Sequence, residues 1–204
     1  MYSTLSQIAG PAREPVDVEL ARQHCRIDHL EDDTLLGVYI SAATSLAENY
    51  LGRVCITQTL RWSMTHSLPF GSGLPLIQPL WLPYGLIDRR PLDLPRAPIQ
   101  SIARVALTRR NDADLVLTTN DYSSDLTATP GRFLLDGAVK PNPNQGLLVD
   151  FVAGYGNNPE DVPQIIRTGI LLMTAFLYEH RGDEGEMPNL PFMLMSPLRL
   201  TTFG

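Results

Sequence analysis

A cluster of potential metal ligands lies near the start of the chain. Residues 24–33, HCRIDHLEDD, bring together histidine, cysteine and carboxylate side chains, which are the groups that hold zinc and other divalent ions. His24 and His29, however, are five residues apart across the end of a predicted helix, so both imidazoles cannot turn toward one ion, and no second ligand pair follows downstream. The pattern therefore predicts no metal site, and we expect no cofactor.

The acidic residues of this cluster have two further interpretations. They come where a second helix is predicted to begin, and carboxylates there are stabilised by free amides and the helix dipole, which favours a capping role. The alternative is a small soluble enzyme that uses the acidic cluster 28–33, which includes Asp28, Asp32 and Asp33, with a divalent ion. The sequence contains no G-x-S-x-G, P-loop, G-x-G-x-x-G or H-E-x-x-H motif, so we expect no enzymatic activity.

Composition and charge narrow the classes of partner. The formal net charge is -6 and the sequence pI is near 5.1, so the chain lacks the positive field that supplies most non-specific affinity for nucleic acids. Its N-terminus has no basic and apolar signal regions, and its longest apolar run, GILLMTAFLY, is too short to span a bilayer. We therefore expect a soluble protein that is made in the cytoplasm and does not wrap DNA.

Three helices are predicted at the two ends of the chain. Asp17 precedes a first helix that begins at Val18 and can cap it. Apolar residues at helical spacing predict a second helix up to Leu51, which Gly52 ends. A third helix is predicted from Gln164 to about Arg181 with Pro163 in its first turn. Its apolar face is so wide that it must lie in the core or under a neighbouring subunit.

The middle of the chain has the period of strands. From Ile56 onward, apolar and polar residues alternate. A second alternating run, 99–108, and the residues 115–117 predict a hairpin. Further strands are predicted at 132–135 and 147–153, the latter with Leu147, Val149, Phe151 and Ala153 on one face.

Two apolar segments must pack either against the rest of their own chain or against another chain. The proline-rich segment 68–94 is long and apolar, and it packs either on its own sheet or, through Phe70, Trp81 and Tyr84, on a partner subunit. The tail LPFMLMSPLRLTTFG, residues 190–204, either folds onto its own domain or docks on another chain. Its apolar anchors in the second case are Phe192, Met193, Leu194, Met195 and Leu198.

The succession of these segments resembles a known family. EPVDVELARQHCRIDHLEDDTLLGVYISAATSLAENYLGRVCITQTLRW is followed by LPRAPIQSIARV, VDFVAGYG, VPQIIRTGILLMTAFLYEHR and LPF…LMSPLRL. Their order and spacing are similar to those of the head-tail connector (adaptor, or head-completion) proteins of tailed bacteriophages and prophages. The resemblance implies an α+β fold: a small helical bundle from residues 1–54 and 157–204, with a β-rich insertion, 55–156, that includes the loop 68–94.

The resemblance also implies a structural function in the virion neck, after assembly in the host cytoplasm. Such a protein forms a homo-oligomeric ring of about twelve copies below the portal protein, prolongs the channel for double-stranded DNA without sequence-specific binding, and offers a platform to a stopper or tail-completion protein. We expect the tail anchors to dock on the portal, no contact with a membrane, and a subunit interface through the third helix at Ile166, Ile170, Met173 and Leu177. Alternatives are a stopper or tail-completion protein of the same neck, and a host interaction domain.

Overall fold

The protein has a mixed α+β fold. The computed structural model describes residues 2–65, 91–108, 112–136, 139, 146–181 and 185–200, so the predicted contacts of Phe70, Trp81 and Tyr84 lie outside the described residues. Two units are distinguished by their internal contacts: a β unit of residues 1–9, 59–95 and 99–152, and a helical unit of residues 10–58, 96–98 and 153–204. Within the described residues, no helix is long and apolar enough to cross a membrane.

The helical unit contains four α-helices in the described part of the chain. They are α1 (Val18–His24), α2 (Asp33–Leu51), α3 (Gln164–Glu179) and α4 (Leu190–Met195). One face of α2 supplies Ile40, Ala43 and Ala47 to the core, and the apolar face of α3 packs against it. Ala43 and Ala47 are small, and small side chains favour close packing between two helices. The predicted amphipathic helices are therefore confirmed, with α3 ending at Glu179.

The abrupt change from helix to strand after Leu51 has a local cause. Gly52 adopts a left-handed conformation, with φ of 67°, which glycine reaches without steric cost. The half-buried carboxylate of Glu48 then accepts a hydrogen bond from the backbone N–H of Cys55 at 2.8 Å and one from the Gln58 amide at 3.4 Å. Burial raises the pKa of Glu48. This side chain therefore fixes the turn that leads out of α2.

Five strands form the larger sheet of the β unit. Its strand order is β1 (Tyr2–Ala9), β2 (Gln58–Thr65), β8 (Gly146–Ala153), β4 (Ile99–Leu107) and β5 (Leu115–Val116). The predicted hairpin is confirmed, because Ala106 and Leu107 of β4 pair antiparallel with Val116 and Leu115 of β5. The buried positions of β2 and β8 follow the predicted alternation, whereas in β4 the alternation of 99–108 is broken by the exposed Ala103.

The N-terminal residues differ from the prediction. The predicted helical part includes residues 1–9, but Tyr2–Ala9 forms the edge strand β1 of the large sheet. It pairs antiparallel with β2, from Tyr2 opposite Thr65 to Ala9 opposite Thr59, with an irregularity between Gln7 and Ala9. The strand was missed because its exposed residues give no apolar alternation, and the pairing depends on a partner about fifty residues away.

A smaller sheet has the strand order β3 (Leu92–Asp93), β7 (Arg132–Leu135) and β6 (Tyr122–Asp125). Of these, only β7 was predicted. Phe133 of β7 is fully buried and its ring lies 5.2 Å from that of Tyr122. The strands β3 and β6 are too short and too polar for their period to be seen in the sequence.

Candidate interaction surfaces

The predicted subunit interface on α3 is wrong for three of its four residues. Ile166, Ile170 and Met173 are wholly buried inside the protomer, where they belong to one core cluster with residues of α1, α2 and α4. The wide apolar face of α3 is therefore covered by its own chain, because three other helices pack around it. Leu177, near the end of α3, is half-buried.

The C-terminal segment is a folded element of the helical unit. Met195, at the end of α4, is fully buried. Its neighbour Phe192 packs edge-on against the ring of Tyr50 in α2, with ring centroids 5.0 Å apart. Farther along, the backbone N–H of Leu200 donates a hydrogen bond to the Leu51 carbonyl oxygen at 2.7 Å. The tail thus folds onto its own domain, as one of the two interpretations expected.

Two positively charged side chains hold the same segment. The Nε of Arg53 donates to the carbonyl oxygen of Leu198 at 2.5 Å. The guanidinium of Arg199 lies 5.1 Å from the centre of the Tyr50 ring, which places it within the range of a cation–π contact. The segment 190–200 is therefore attached to the end of α2 by apolar, hydrogen-bonding and cation–π contacts together.

One side of α4 nevertheless stays open. Met193 is 68% exposed and Leu190 is 54% exposed, and the two are three residues apart, so they lie on the same side of the helix. Leu194 is half-buried. We call these three residues the outer face of α4. Of the five predicted docking anchors, only Met193 and Leu194 belong to it, since Met195 is buried in the core while Phe192 and Leu198 pack against that core. Leu190 was missed.

The acidic residues at the start of α2 form ion pairs and hydrogen bonds. Asp32 accepts hydrogen bonds from the hydroxyl of Tyr178 at 2.5 Å and from Nη2 of Arg181 at 2.9 Å. These bonds, that of Tyr178 first, lower the pKa of the Asp32 carboxyl. Asp33 pairs with the Nε of Arg22 at 3.0 Å. Asp32 and Asp17 precede α2 and α1 but neither makes a side-chain capping bond, so this part of the expected capping role is wrong, whereas Asp33 lies in the first turn of α2 as expected.

The potential metal ligands of residues 24–33 do not come together as a metal site among the described residues. Among the described residues, no group of three or more His, Cys, Asp or Glu side chains could hold a metal ion. The two cysteines are thiols, with Cys25 half-buried and Cys55 buried. Burial raises the pKa of the Cys55 thiol well above its ordinary range, so this thiol stays protonated and unreactive at neutral pH.

Several exposed apolar side chains lie at strand edges and on the short helix α4. Nine large apolar side chains of the described residues are exposed. Five of them lie at the two edges of the large sheet and on the outer face of α4, namely Ile8, Leu115, Val116, Leu190 and Met193; the other four, Leu30, Val38, Leu46 and Ile165, lie elsewhere in the helical unit. Apolar residues left in contact with water at strand edges and helix ends are typical of surfaces that other chains cover. The fold therefore presents surfaces that are typical of a component of a protein assembly.

More than half of the chain matches one known protein family. The model of the phage gp6-like head-tail connector protein family matches residues 16–130, which is more than half of the 204-residue chain. The chain belongs to the phage gp6-like head-tail connector family, and its function is structural, as a connector in the neck. This confirms the resemblance found in the sequence.

Solved structures with the same fold come from gene transfer agent (GTA) particles. A chain of the virion of the native particle matches with a TM-score of 0.75 and 20% identity, over 98% of this chain and 97% of that chain. Chains from the neck of the empty particle, computed with C6 symmetry, and from the neck of the native particle, computed with C12 symmetry, match over the same shares with 18% identity and TM-scores of 0.75 and 0.72. The comparison with curated proteins found no match.

Proposed function

We propose that copies of this protein form a ring in the neck of a tailed particle, directly below the portal protein. The ring has about twelve copies, since the same fold occurs over 97% of a chain in a neck computed with C12 symmetry. The match to this neck chain is the observation that supports the proposal most strongly. The ring extends the channel through which double-stranded DNA passes, and its other end offers a platform to a stopper or tail-completion protein.

The charge of the chain fits a conduit for DNA. Its net charge of -6 disfavours binding of the phosphate backbone, because binding of this kind depends on lysine and arginine that replace counterions. DNA can therefore move through the ring without being held, and no base-specific contact is required. The same role needs no catalysis and no cofactor. Assembly takes place in the host cytoplasm.

We further propose that the outer face of α4 docks on the portal. Met193 and Leu190 are the most exposed apolar side chains of the C-terminal segment, and methionine adapts to imperfectly matched pockets. Phe192, Met195 and Leu198 hold the helix in place from the inside. Leu177, at the end of α3, remains available at a contact between subunits, whereas the buried residues of α3 do not.

Binding to purified portal protein tests this function. We expect the protein to form a stable complex with the portal alone, seen as co-elution in size-exclusion chromatography and as an added ring in electron micrographs. A protein that joins the portal only after another neck protein has bound would be a stopper or tail-completion protein instead. A protein that never joins either complex would contradict a role in the neck.

A further inference from the structure

The edge strand β1 is unusually unprotected. Its eight residues, YSTLSQIA, include no charged residue and no proline, although natural edge strands usually carry such residues to prevent pairing with other chains. The residues from Ser3 to Ala9 are exposed apart from Leu5, and Ile8 is 49% exposed. Among the described strands, only β2 pairs with it. A strand of this kind adds readily to another sheet.

At the opposite edge of the same sheet, the described edge strand β5 covers only part of its neighbour β4. Strand β4 has nine residues, but the edge strand β5 pairs only with Ala106 and Leu107. Over residues 99–104, no described strand lies on that side of β4, and Ser101 and Ala103 are exposed. Leu115 and Val116 of β5 are exposed next to this stretch. Among the described strands, the sheet therefore ends on this side in an open stretch of β4 next to the apolar side chains of Leu115 and Val116.

The two edges meet the requirement of a closed ring. A cyclic assembly of more than two copies needs two different surfaces on each copy, so that one meets the other on the next copy. The two edges of one sheet face in opposite directions, and pairing them repeats from copy to copy. Charge does not oppose the contact, since β1 is uncharged and Arg104, the only charged residue of β4, pairs with Asp114 at 3.3 Å.

We propose that β1 of one copy pairs with the open edge of β4, residues 99–104, in the next copy, so that the large sheets join around the ring. This inference rests on the ring of the proposed function. Backbone hydrogen bonds between the strands supply the affinity, and Ile8 of one copy is covered together with Leu115 and Val116 of the other. The contact also covers the unprotected edge strand, so that it is no longer open to pairing with unrelated chains.

Hydrogen exchange of the full chain, free and in rings, tests the contact without knowledge of the strand register. We expect amides of residues 2–9 and of residues 99–104 to exchange at least about ten-fold more slowly in the ring than in the free chain, because the new backbone bonds must open before exchange. The exposed segment 26–31 serves as an internal control that does not change. Protection in β1 without protection in β4 would contradict the proposed partner strand.

Disulfide cross-linking then identifies the pair of strands. In a Cys25→Ser background, cysteine replaces Thr4 or Ser6 in β1 and Ser101 or Ala103 in β4, in all four combinations. Within one copy, β1 and β4 are separated by two strands, or about 14 Å at the usual spacing, which is too far for a disulfide. Any disulfide between them must therefore join two copies, and oxidised rings should give a ladder of multiples on a non-reducing gel.

The control pair combines Ser6→Cys with Ser124→Cys, at an exposed position of the smaller sheet. We expect at least about ten-fold less cross-linked product from it. Rings that form normally but show neither protection nor a ladder would overturn the strand pairing and leave the proposed function intact. Failure to form rings under any condition, including the presence of the portal, would overturn both.

Discussion

The sulfur of Met195 fills the space that a side chain at Gly169 would occupy. A Cβ at Gly169 in α3 would lie 2.7 Å from this sulfur and 2.9 Å from Cγ of the same methionine. Glycine therefore allows α4 to pack directly on α3, and Met195 closes the core at that point. The position of the C-terminal segment, and with it the outer face of α4, depends on this close approach.

Replacement of Gly169 by alanine should loosen this contact. A methyl group at 169 overlaps a fully buried methionine, and overpacking of this kind costs about 1–3 kcal/mol. Alanine also gains about 1 kcal/mol of helix propensity over glycine, so we expect a net loss of about 1 kcal/mol in the free energy of unfolding, measured by urea denaturation.

Gly37 in α2 provides the matched control. A Cβ there meets no atom within 4 Å, so Gly37→Ala should stabilise the protein by about 1 kcal/mol through helix propensity alone. An equal gain in stability from both substitutions would show that Met195 moves away at no cost.

Substitution on the outer face of α4 should weaken binding to the portal. Met193→Asp places a charge at the centre of the proposed contact, where burial of an unpaired carboxylate is costly. We expect affinity for the portal to fall at least about ten-fold, which corresponds to about 1.4 kcal/mol, with little change in the unfolding midpoint. Binding is measured by biolayer interferometry with immobilised portal.

Leu30→Asp is the matched control for this effect. Leu30 is 66% exposed, about as much as Met193, and it lies in the same unit but outside α4. We expect its affinity for the portal to match that of the unchanged chain. If both variants lose affinity equally, the outer face of α4 has no special part in docking.

The ion pair between β2 and β8 should contribute to the stability of the large sheet. Arg61 donates two hydrogen bonds to Asp150, at 2.7 and 2.8 Å, and this carboxylate side chain is only 9% exposed. Arg61→Ala leaves the buried charge without a partner, so we expect a loss of about 2 kcal/mol in the free energy of unfolding. The more exposed pair of Arg104 and Asp114 is the control, and Arg104→Ala should cost at most about 0.5 kcal/mol. Similar losses from both would contradict the role of burial.

Acid should weaken the contact between the start of α2 and the end of α3. The pKa of Asp32 is lowered from its ordinary 3.8 by hydrogen bonds from Tyr178 and Arg181. A lowered folded-state pKa gives stability that is present above the unfolded value and is lost as pH falls through the folded one. Asp32→Asn should therefore reduce the slope of unfolding free energy against pH below about 4, and Tyr178→Phe should reduce it in part. Unchanged slopes in both variants would contradict this assignment.

The sequence predicted the elements whose signals are local. Ile40, Ala43 and Ala47 recur at helical spacing, and Gly52 follows the last turn of α2, so the helix and its end were both readable. Leu147, Val149 and Phe151 alternate as a buried strand requires. In each case, the pattern within one segment is enough to choose between helix and strand.

The features that the sequence did not predict depend on contacts between distant segments. The apolar face of α3 has the same pattern whether another helix or another subunit covers it, so the prediction of a subunit interface at Ile166, Ile170 and Met173 was wrong. Strand β1 was missed because an edge strand with little burial needs no alternation. Met195 looked like an exposed anchor because its space beside Gly169 exists only in the folded protein.

Electron cryomicroscopy of the neck tests the central claim most directly. We predict a ring of about twelve copies of this chain in contact with the portal, with α4 at the contact and the DNA channel running through the ring. A reconstruction in which another protein lies between the portal and this chain, or in which the chain forms no ring, would contradict the account.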